Sequence, residues 1–188
     1  ALHGKGVKVS ILDLDTQKSC YRLNMIRTKS AMVVMHIKDE VELSLLVDSL
    51  GEDEVLIIDE GGFDSDLNEK AMRLSDLILT PLQDSFFDIM GLKVFEGVLD
   101  RAGLPKTKLL LNMVSPNQKN FEDFEADTNS KLNLEILKTK FVRSNWFDYA
   151  HREGLGISEV RTNIKAEKQS LKRVQDAMDS LCFELLEV

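Results

Sequence analysis

The stretch VKVSILDL, residues 7–14, decides the fold class of this chain. It is short and rich in β-branched and aliphatic residues, which is typical of a strand buried on both faces. Comparable runs follow at residues 32–36, 54–59, 77–81, 108–114 and, more briefly, 139–143. Because helical patterns lie between several of these runs, the sequence predicts an α/β fold. We expect a mostly parallel sheet covered by helices on both faces.

Three segments carry helical patterns. Residues 38–50 have apolar side chains at helical spacing, residues 84–102 end just before Gly103, and residues 163–187 form a predicted final helix. Residues 121–137 are polar and predicted to be partly helical. Residues 115–133, the most polar part of the chain, suit either a solvated surface segment or a lid that faces a partner.

Composition limits the protein class. The 188 residues suffice for one domain, and 43% of them are apolar. No apolar run is long enough to span a membrane, and Cys20 and Cys182 match no metal or redox spacing. We therefore expect a protein of the reducing cytoplasm without a membrane partner. The net charge of −8 leaves room only for a local basic patch that could contact nucleic acid.

Acidic residues lie at the ends of two predicted strands. Asp13 and Asp15 end the first strand, and Asp59 ends the third. In open α/β sheets, ligands bind at the carboxyl ends of strands. Asp59 follows four apolar residues, as does the Walker B acid that holds magnesium through water. Asp13 and Asp15 are predicted on one side of an extended strand, where their repulsion favours a shared cation. The alternative for all three is a capping role at a solvated strand end.

Several segments, taken in order, resemble the ParA/MinD family of deviant-Walker ATPases. ILDLDTQKS (residues 11–19) resembles the family pattern D-x-D-P-Q-x-S, with Thr16 in place of proline. LIIDEGG (residues 56–62) resembles its Walker B segment, although Glu60-Gly61-Gly62 replaces the usual D-T-P-G. Residues 75–99, 109–114 and 141–160 resemble later segments, so the similarity runs from Gly4 to Val160.

The resemblance implies a P-loop NTPase-like fold and ATP hydrolysis with magnesium. The nearest members are the short plasmid-partition ParA proteins, in which ATP acts as a switch. Asp15 would orient the attacking water, Asp13 would shape the magnesium and phosphate environment, and Asp59 would hold magnesium through water. Asn112 resembles an asparagine near the adenine, and Arg143 belongs to the same base-side region. Asn112 could equally satisfy a turn, and Arg143 could equally form a surface ion pair.

The same resemblance implies particular partners. The ATP-bound form would assemble with itself, as a homodimer or filament, and would bind DNA without sequence preference on the nucleoid. A ParB-like centromere-binding protein would stimulate hydrolysis. The candidate DNA contacts are basic residues near the start of the last helix: Lys165, Lys168, Lys172 and Arg173. A solvated helix face is the alternative for this cluster.

The glycine-rich K-G-G-x-G-K-T loop of the family does not occur in these 188 residues. HGKGVK, residues 3–8, precedes a predicted strand rather than a helix, so it is a different element. Ala1-Leu2 followed by glycines predicts the end of a helix. We therefore expect residues 1–188 to form a single ParA-like domain whose first strand and phosphate-binding loop lie upstream. Hydrolysis is expected to require that loop.

Other classes fit less well. A receiver-like phosphoacceptor domain would use Asp59, but it needs adjacent acids and a lysine where this chain has Asn112. A membrane-cycling relative is disfavoured because residues 182–188 are acidic and lack a basic amphipathic tail. Iron–sulfur relatives need more cysteines. Another deviant-Walker ATPase with a different cargo remains an alternative.

Overall fold

The computed structural model describes residues 1–29, 31–61, 65–102, 106–118, 121, 125 and 134–186, without the side chains of residues 100–102. The chain divides into two compact units. The first unit comprises Ala1–Leu74 and Trp146–Lys168, and the second comprises Ser75–Asn145 and Gln169–Val188.

Strands and helices alternate through most of the described chain. The strands are β1 (Lys8–Asp13), β2 (Val33–Met35), β3 (Glu54–Asp59), β4 (Ile78–Leu82), β5 (Thr107–Val114) and β6 (Glu135–Val142). The helices are α1 (Ser19–Met25), α2 (Glu40–Asp48), α3 (Asp66–Leu74), α4 (Phe86–Ala102), α5 (Asn145–Arg152) and α6 (Lys165–Leu186), with short 3₁₀ turns at His3–Lys5 and Ile157–Glu159.

The first unit contains a three-stranded parallel sheet in the order β2-β1-β3. Its core is centred on three fully buried side chains from β1, α2 and α3, namely Leu12, Leu43 and Ala71. Asp39 caps α2 by accepting hydrogen bonds from two backbone N–H groups of the first turn. Because β1 is central, its carboxyl end lies beside that of β3, in register from Lys8 to Asp13.

The second unit contains another three-stranded parallel sheet, in the order β4-β5-β6. The central strand β5 buries Leu109, Leu110 and Leu111 in succession, as expected of a strand covered on both faces. The edge strand β6 is held by Glu184 of α6, whose carboxylate accepts hydrogen bonds from the backbone of residues 138 and 139. The Glu184 side chain therefore binds two backbone N–H groups on the edge of the β4-β5-β6 sheet.

The predicted α/β fold class is confirmed, and the strands of both sheets pair in parallel as expected. β3 covers the predicted residues 54–59, and the other boundaries move by one or two residues except at β6. β6 begins at Glu135 rather than Thr139, so residues 135–137 are strand and not helix. The rest of the polar segment lies mainly outside the described residues, as does Gly103. Helices α1, α3 and α5 were not predicted.

Two local predictions need correction. The extended strand ends at Asp13, and Asp15 lies in a turn that the Lys18 N–H closes on the Asp15 carbonyl oxygen at 3.0 Å, so the two acids do not share one side of a strand. The helical turn at the start spans His3–Lys5 rather than ending at Ala1-Leu2. Gly6, with a left-handed φ of 84°, closes it. None of the described helices is long and apolar enough to cross a membrane.

Candidate nucleotide and magnesium site

Asp13 is the last residue of β1, and its carboxylate is almost fully buried, with 3% of the residue exposed. Its Oδ2 accepts a hydrogen bond from the backbone N–H of Tyr21 at 3.1 Å, and its Oδ1 accepts one from the backbone N–H of Asp15 at 3.2 Å. Lys18 precedes α1 in a left-handed conformation and provides no side-chain cap. Asp13 therefore performs the capping function for α1 and fixes the loop that carries Asp15.

Asp59 ends β3 directly opposite Asp13 in the parallel register. The pairing continues one step beyond the strands, because the Leu14 N–H donates to the Asp59 carbonyl oxygen at 2.9 Å. The two strand-end carboxylates are therefore brought to one edge of the sheet, as the sequence predicted from their positions. The Asp59 side chain also has a partner that the sequence did not indicate. Its Oδ2 accepts a hydrogen bond from the thiol of Cys20 at 3.2 Å.

Cys20 is half-buried among carboxylates. Burial raises the pKa of its thiol to about 12, and the hydrogen bond to Asp59 and the negative charges of Asp59, Asp13 and Asp15 act in the same direction. The thiol therefore stays protonated at neutral pH and serves as a donor to Asp59. Cysteine spacing gave no signal for this role, since the contact joins residues 39 positions apart.

Asp15 lies in the loop between β1 and α1 and is half-buried. Its Oδ1 accepts a hydrogen bond from the backbone N–H of Gln17 at 2.8 Å, which forms an Asx turn. The Asp15 side chain thus bonds to the backbone of the turn that follows β1, as the capping alternative requires. The turn fixes the carboxylate relative to the backbone, which is the property a water-orienting group requires.

Glu60 adds a fourth acid to this edge. Burial raises the pKa of its carboxyl to about 7, and the neighbouring charge of Asp59 contributes in the same direction. Glu60 stands where the related segments carry threonine, and the sequence indicated only that departure. The raised pKa increases the fraction of Glu60 that is protonated and neutral near pH 7, which limits repulsion among these acids.

The donor atoms fit magnesium better than a transition metal. No group of three or more His, Cys, Asp or Glu side chains in the described ranges is arranged to hold a metal by itself. Magnesium does not need such a group, since it keeps several waters and takes one or two carboxylates together with substrate phosphates. Asp13 and Asp59, adjacent at the sheet edge and offering only oxygen ligands, match that requirement.

Asn112 and Arg143 lie in the second unit, near the carboxyl ends of β5 and β6. The Arg143 N–H donates to the Val114 carbonyl oxygen at 2.9 Å, which places the exposed Arg143 beside the end of β5. The Oδ1 of Asn112 accepts a hydrogen bond from the N–H of Met113, which has a left-handed φ of 54°. Asn112 therefore bonds to the backbone of the next residue within β5, at a register shift between β5 and β6.

The four basic residues proposed for DNA contact are exposed on α6: Lys165, Lys168, Lys172 and Arg173. The Lys172 ammonium pairs with Asp176 at 3.1 Å, one helical turn further on, and both side chains are well exposed. Such a surface pair contributes little to stability and dissociates easily in favour of a phosphate. The helix geometry therefore permits both the DNA-contact and the solvated-face interpretations.

Comparison with known proteins places the chain in a family. The family model described as "ATPase MipZ" matches residues 1–96, which include β1, β3 and the acids Asp13, Asp15, Asp59 and Glu60. No curated protein matches the chain. Among solved structures, the MinD cell division protein of Aquifex aeolicus is similar in fold, with a TM-score of 0.68 at 14% identity, covering 100% of this chain and 87% of that one. The chain therefore belongs to the MipZ ATPase family, within the ParA/MinD group of deviant-Walker ATPases.

Proposed function

We propose that this protein is an ATP-dependent switch that hydrolyses ATP with magnesium and acts in plasmid or chromosome partition. The observation that supports it most is the convergence of Asp13, Asp15 and Asp59 at the carboxyl ends of two paired strands, within the part of the chain that matches an ATPase family. The family assignment favours this function over a phosphoacceptor receiver.

The chain's own acids would divide the work at this site. Asp59 would hold magnesium through water, and Asp13 would support it with the lone pairs that its two backbone hydrogen bonds leave available. Magnesium supplies charge neutralisation to the phosphates when bound. The phosphate-binding loop of the family is not among these 188 residues, and hydrolysis is proposed to require it, so hydrolysis is to be measured on the protein as the cell makes it.

Asp15 would orient the water that attacks the terminal phosphate. Replacing Asp15 with alanine in the full-length protein should lower the hydrolysis rate roughly tenfold to a hundredfold, since positioning and proton-accepting groups contribute on that scale. ATP affinity should change little, because the residue touches the water rather than the nucleotide. Steady-state hydrolysis and equilibrium nucleotide binding, measured side by side, check both statements. A loss confined to affinity would contradict the assigned role.

Asn112 and Arg143 are proposed to lie on the adenine side of the nucleotide. Both are polar, and both stand near the carboxyl ends of neighbouring strands, where α/β sheets bind ligands. The ATP-bound protein would assemble with itself, and a ParB-like centromere-binding partner would stimulate hydrolysis. We propose that the protein is cytoplasmic and associates with the nucleoid through non-specific DNA contacts.

We propose that DNA binds the basic face of α6, which is formed by Lys165, Lys168, Lys172 and Arg173. Changing Lys168 and Lys172 together to glutamate should weaken ATP-dependent DNA retention for all sequences and flatten its salt dependence, since each lost phosphate contact removes one released counterion. ATP hydrolysis without DNA should persist. The matched control changes Lys38 and Lys93, two exposed lysines elsewhere, to glutamate and so alters the net charge equally. Equal losses for the two double variants would assign the effect to net charge alone.

A further inference from the structure

The loops that follow β1 and β3 touch each other at a glycine. Gly61 lies two residues beyond the end of β3, and a Cβ atom built on it would stand 2.8 Å from both Cγ and Oδ1 of Asp15 and 3.2 Å from its Cβ. Real Cβ contacts do not occur at 2.8 Å, so the space that a side chain would need at residue 61 is already filled by the Asp15 carboxyl. Gly61 has no positive φ that would by itself explain the glycine.

The backbone near this contact is anchored at the end of β3. The Leu14 N–H binds the Asp59 carbonyl oxygen at 2.9 Å, and the Cys20 thiol binds Asp59 Oδ2, so both loops are tied to the end of β3. Asp15 itself is held at 2.8 Å by the Gln17 N–H. A methyl group at residue 61 therefore presses on a side chain that is held, within the described residues, only by the bond from the Gln17 N–H, next to a backbone anchored at Asp59. The carboxyl group of Asp15 is the part that yields.

We propose that Gly61 is a positioning residue for Asp15, so that the loop after β3 sets where the carboxylate in the loop after β1 points. The role of the carboxylate in hydrolysis rests on the proposed function, whereas the contact between the two loops does not. In this arrangement a displacement of Gly61 reaches Asp15 by direct contact, although the two residues are far apart in the sequence.

The first test needs no nucleotide. Gly61→Ala should displace the Asp15 carboxylate, break its bond to the Gln17 N–H, and move the Gln17 amide proton signal upfield in NMR spectra. Asp15→Ala provides the reference for complete loss of that bond. Gly51→Ala is the matched control before β3, since a Cβ there meets Glu54 only at an ordinary 3.6 Å. An unchanged Gln17 signal in Gly61→Ala would overturn the proposal.

The second test uses hydrolysis by the full-length protein. Gly61→Ala should lower kcat about tenfold with little change in KM or in the unfolding temperature, because a flexible side chain gives way rather than the backbone. Combined with Asp15→Ala, it should add almost nothing, as expected when one residue acts through the other. Additive effects, or a rise in KM alone, would show that Gly61 acts on the nucleotide instead. If the wild-type protein does not hydrolyse ATP, the proposed function fails, while the Gln17 signal still decides the contact.

Discussion

Gly154→Ala should destabilise the protein strongly, costing about 4 kcal/mol of unfolding free energy. Gly154 follows α5 with a left-handed φ of 63°, which costs alanine about 1 kcal/mol. A Cβ atom there would also lie 2.0 Å from the Ile26 carbonyl oxygen and 2.8 Å from its carbonyl carbon. Both are backbone atoms, so relief requires moving one chain segment away from the other, which adds roughly 3 kcal/mol.

The contact cannot open without losing further bonds. The Thr28 N–H donates to the Gly154 carbonyl oxygen at 3.1 Å, and the Thr28 hydroxyl donates to the Glu153 carbonyl oxygen at 3.1 Å. These bonds join the segment after α1 to the end of α5 within the first unit. Displacement at Gly154 would therefore also disturb the chain that leaves α1.

Gly6→Ala provides the control for backbone conformation alone. Gly6 has a similar left-handed φ of 84°, but nothing lies within 4 Å of a Cβ atom built there. We expect it to cost only about 1 kcal/mol. Urea unfolding of the two variants and the wild type, monitored by circular dichroism, measures the difference. Equal losses at both glycines would show that the clash with Ile26 is relieved without cost.

Asp13→Ala should remove about 3 kcal/mol of unfolding free energy. The substitution deletes a buried carboxylate that accepts two backbone hydrogen bonds, and bonds to charged groups contribute about 1.5–3 kcal/mol each. It also leaves the N–H groups of Asp15 and Tyr21 without that acceptor in a region shielded from water. Part of this loss should appear as disorder in the loop that carries Asp15.

Asp39→Ala is the control for this prediction, because Asp39 accepts the same number of backbone hydrogen bonds as Asp13 but is exposed. The Asp39 Oδ1 also accepts bonds from two backbone N–H groups, those of Val41 and Glu42, both at 2.9 Å, but Asp39 is exposed. Water can replace an exposed cap, so its loss should cost only about 1 kcal/mol. Chemical unfolding of both variants compares them directly. If Asp39→Ala costs as much as Asp13→Ala, burial is not the source of the larger effect.

Much of the architecture could be predicted because strand patterns are local. β1 and β3 are short apolar runs whose composition alone distinguishes them, and their final acids mark where the apolar environment ends. Helices α1 and α5 escaped prediction since both are short, and each is fixed by contacts from elsewhere, such as the bond from the Tyr21 N–H to Asp13. β6 was predicted too short because residues 135–137 were assigned to the polar segment before it, although Ile136 and Leu137 are apolar.

The candidate site was predictable only in part. In a parallel sheet the carboxyl ends of the strands lie at one edge, so the sequence could place Asp13 and Asp59 at the same edge, whereas only the structure showed that β1 and β3 are neighbours. The hydrogen-bond donors and the neighbours of those acids could not be predicted from the sequence. Cys20 reaches Asp59 because α1 returns beside the end of β3, and neither residue carries a local signal of that approach.

The sequence by itself determined that this chain alternates buried strands with helices, that acids end β1 and β3, and that its segments resemble a family of ATPases. These properties depend on residue type and local spacing, which the chain carries before it folds. The tertiary structure alone decided which oxygen of Asp13 binds which backbone N–H, that the Cys20 thiol remains protonated beside Asp59, and that Asp15 fills the space at Gly61. Contacts of this kind depend on strand register, on burial and on atomic positions that are defined to a fraction of an ångström. All three are properties of the packed chain.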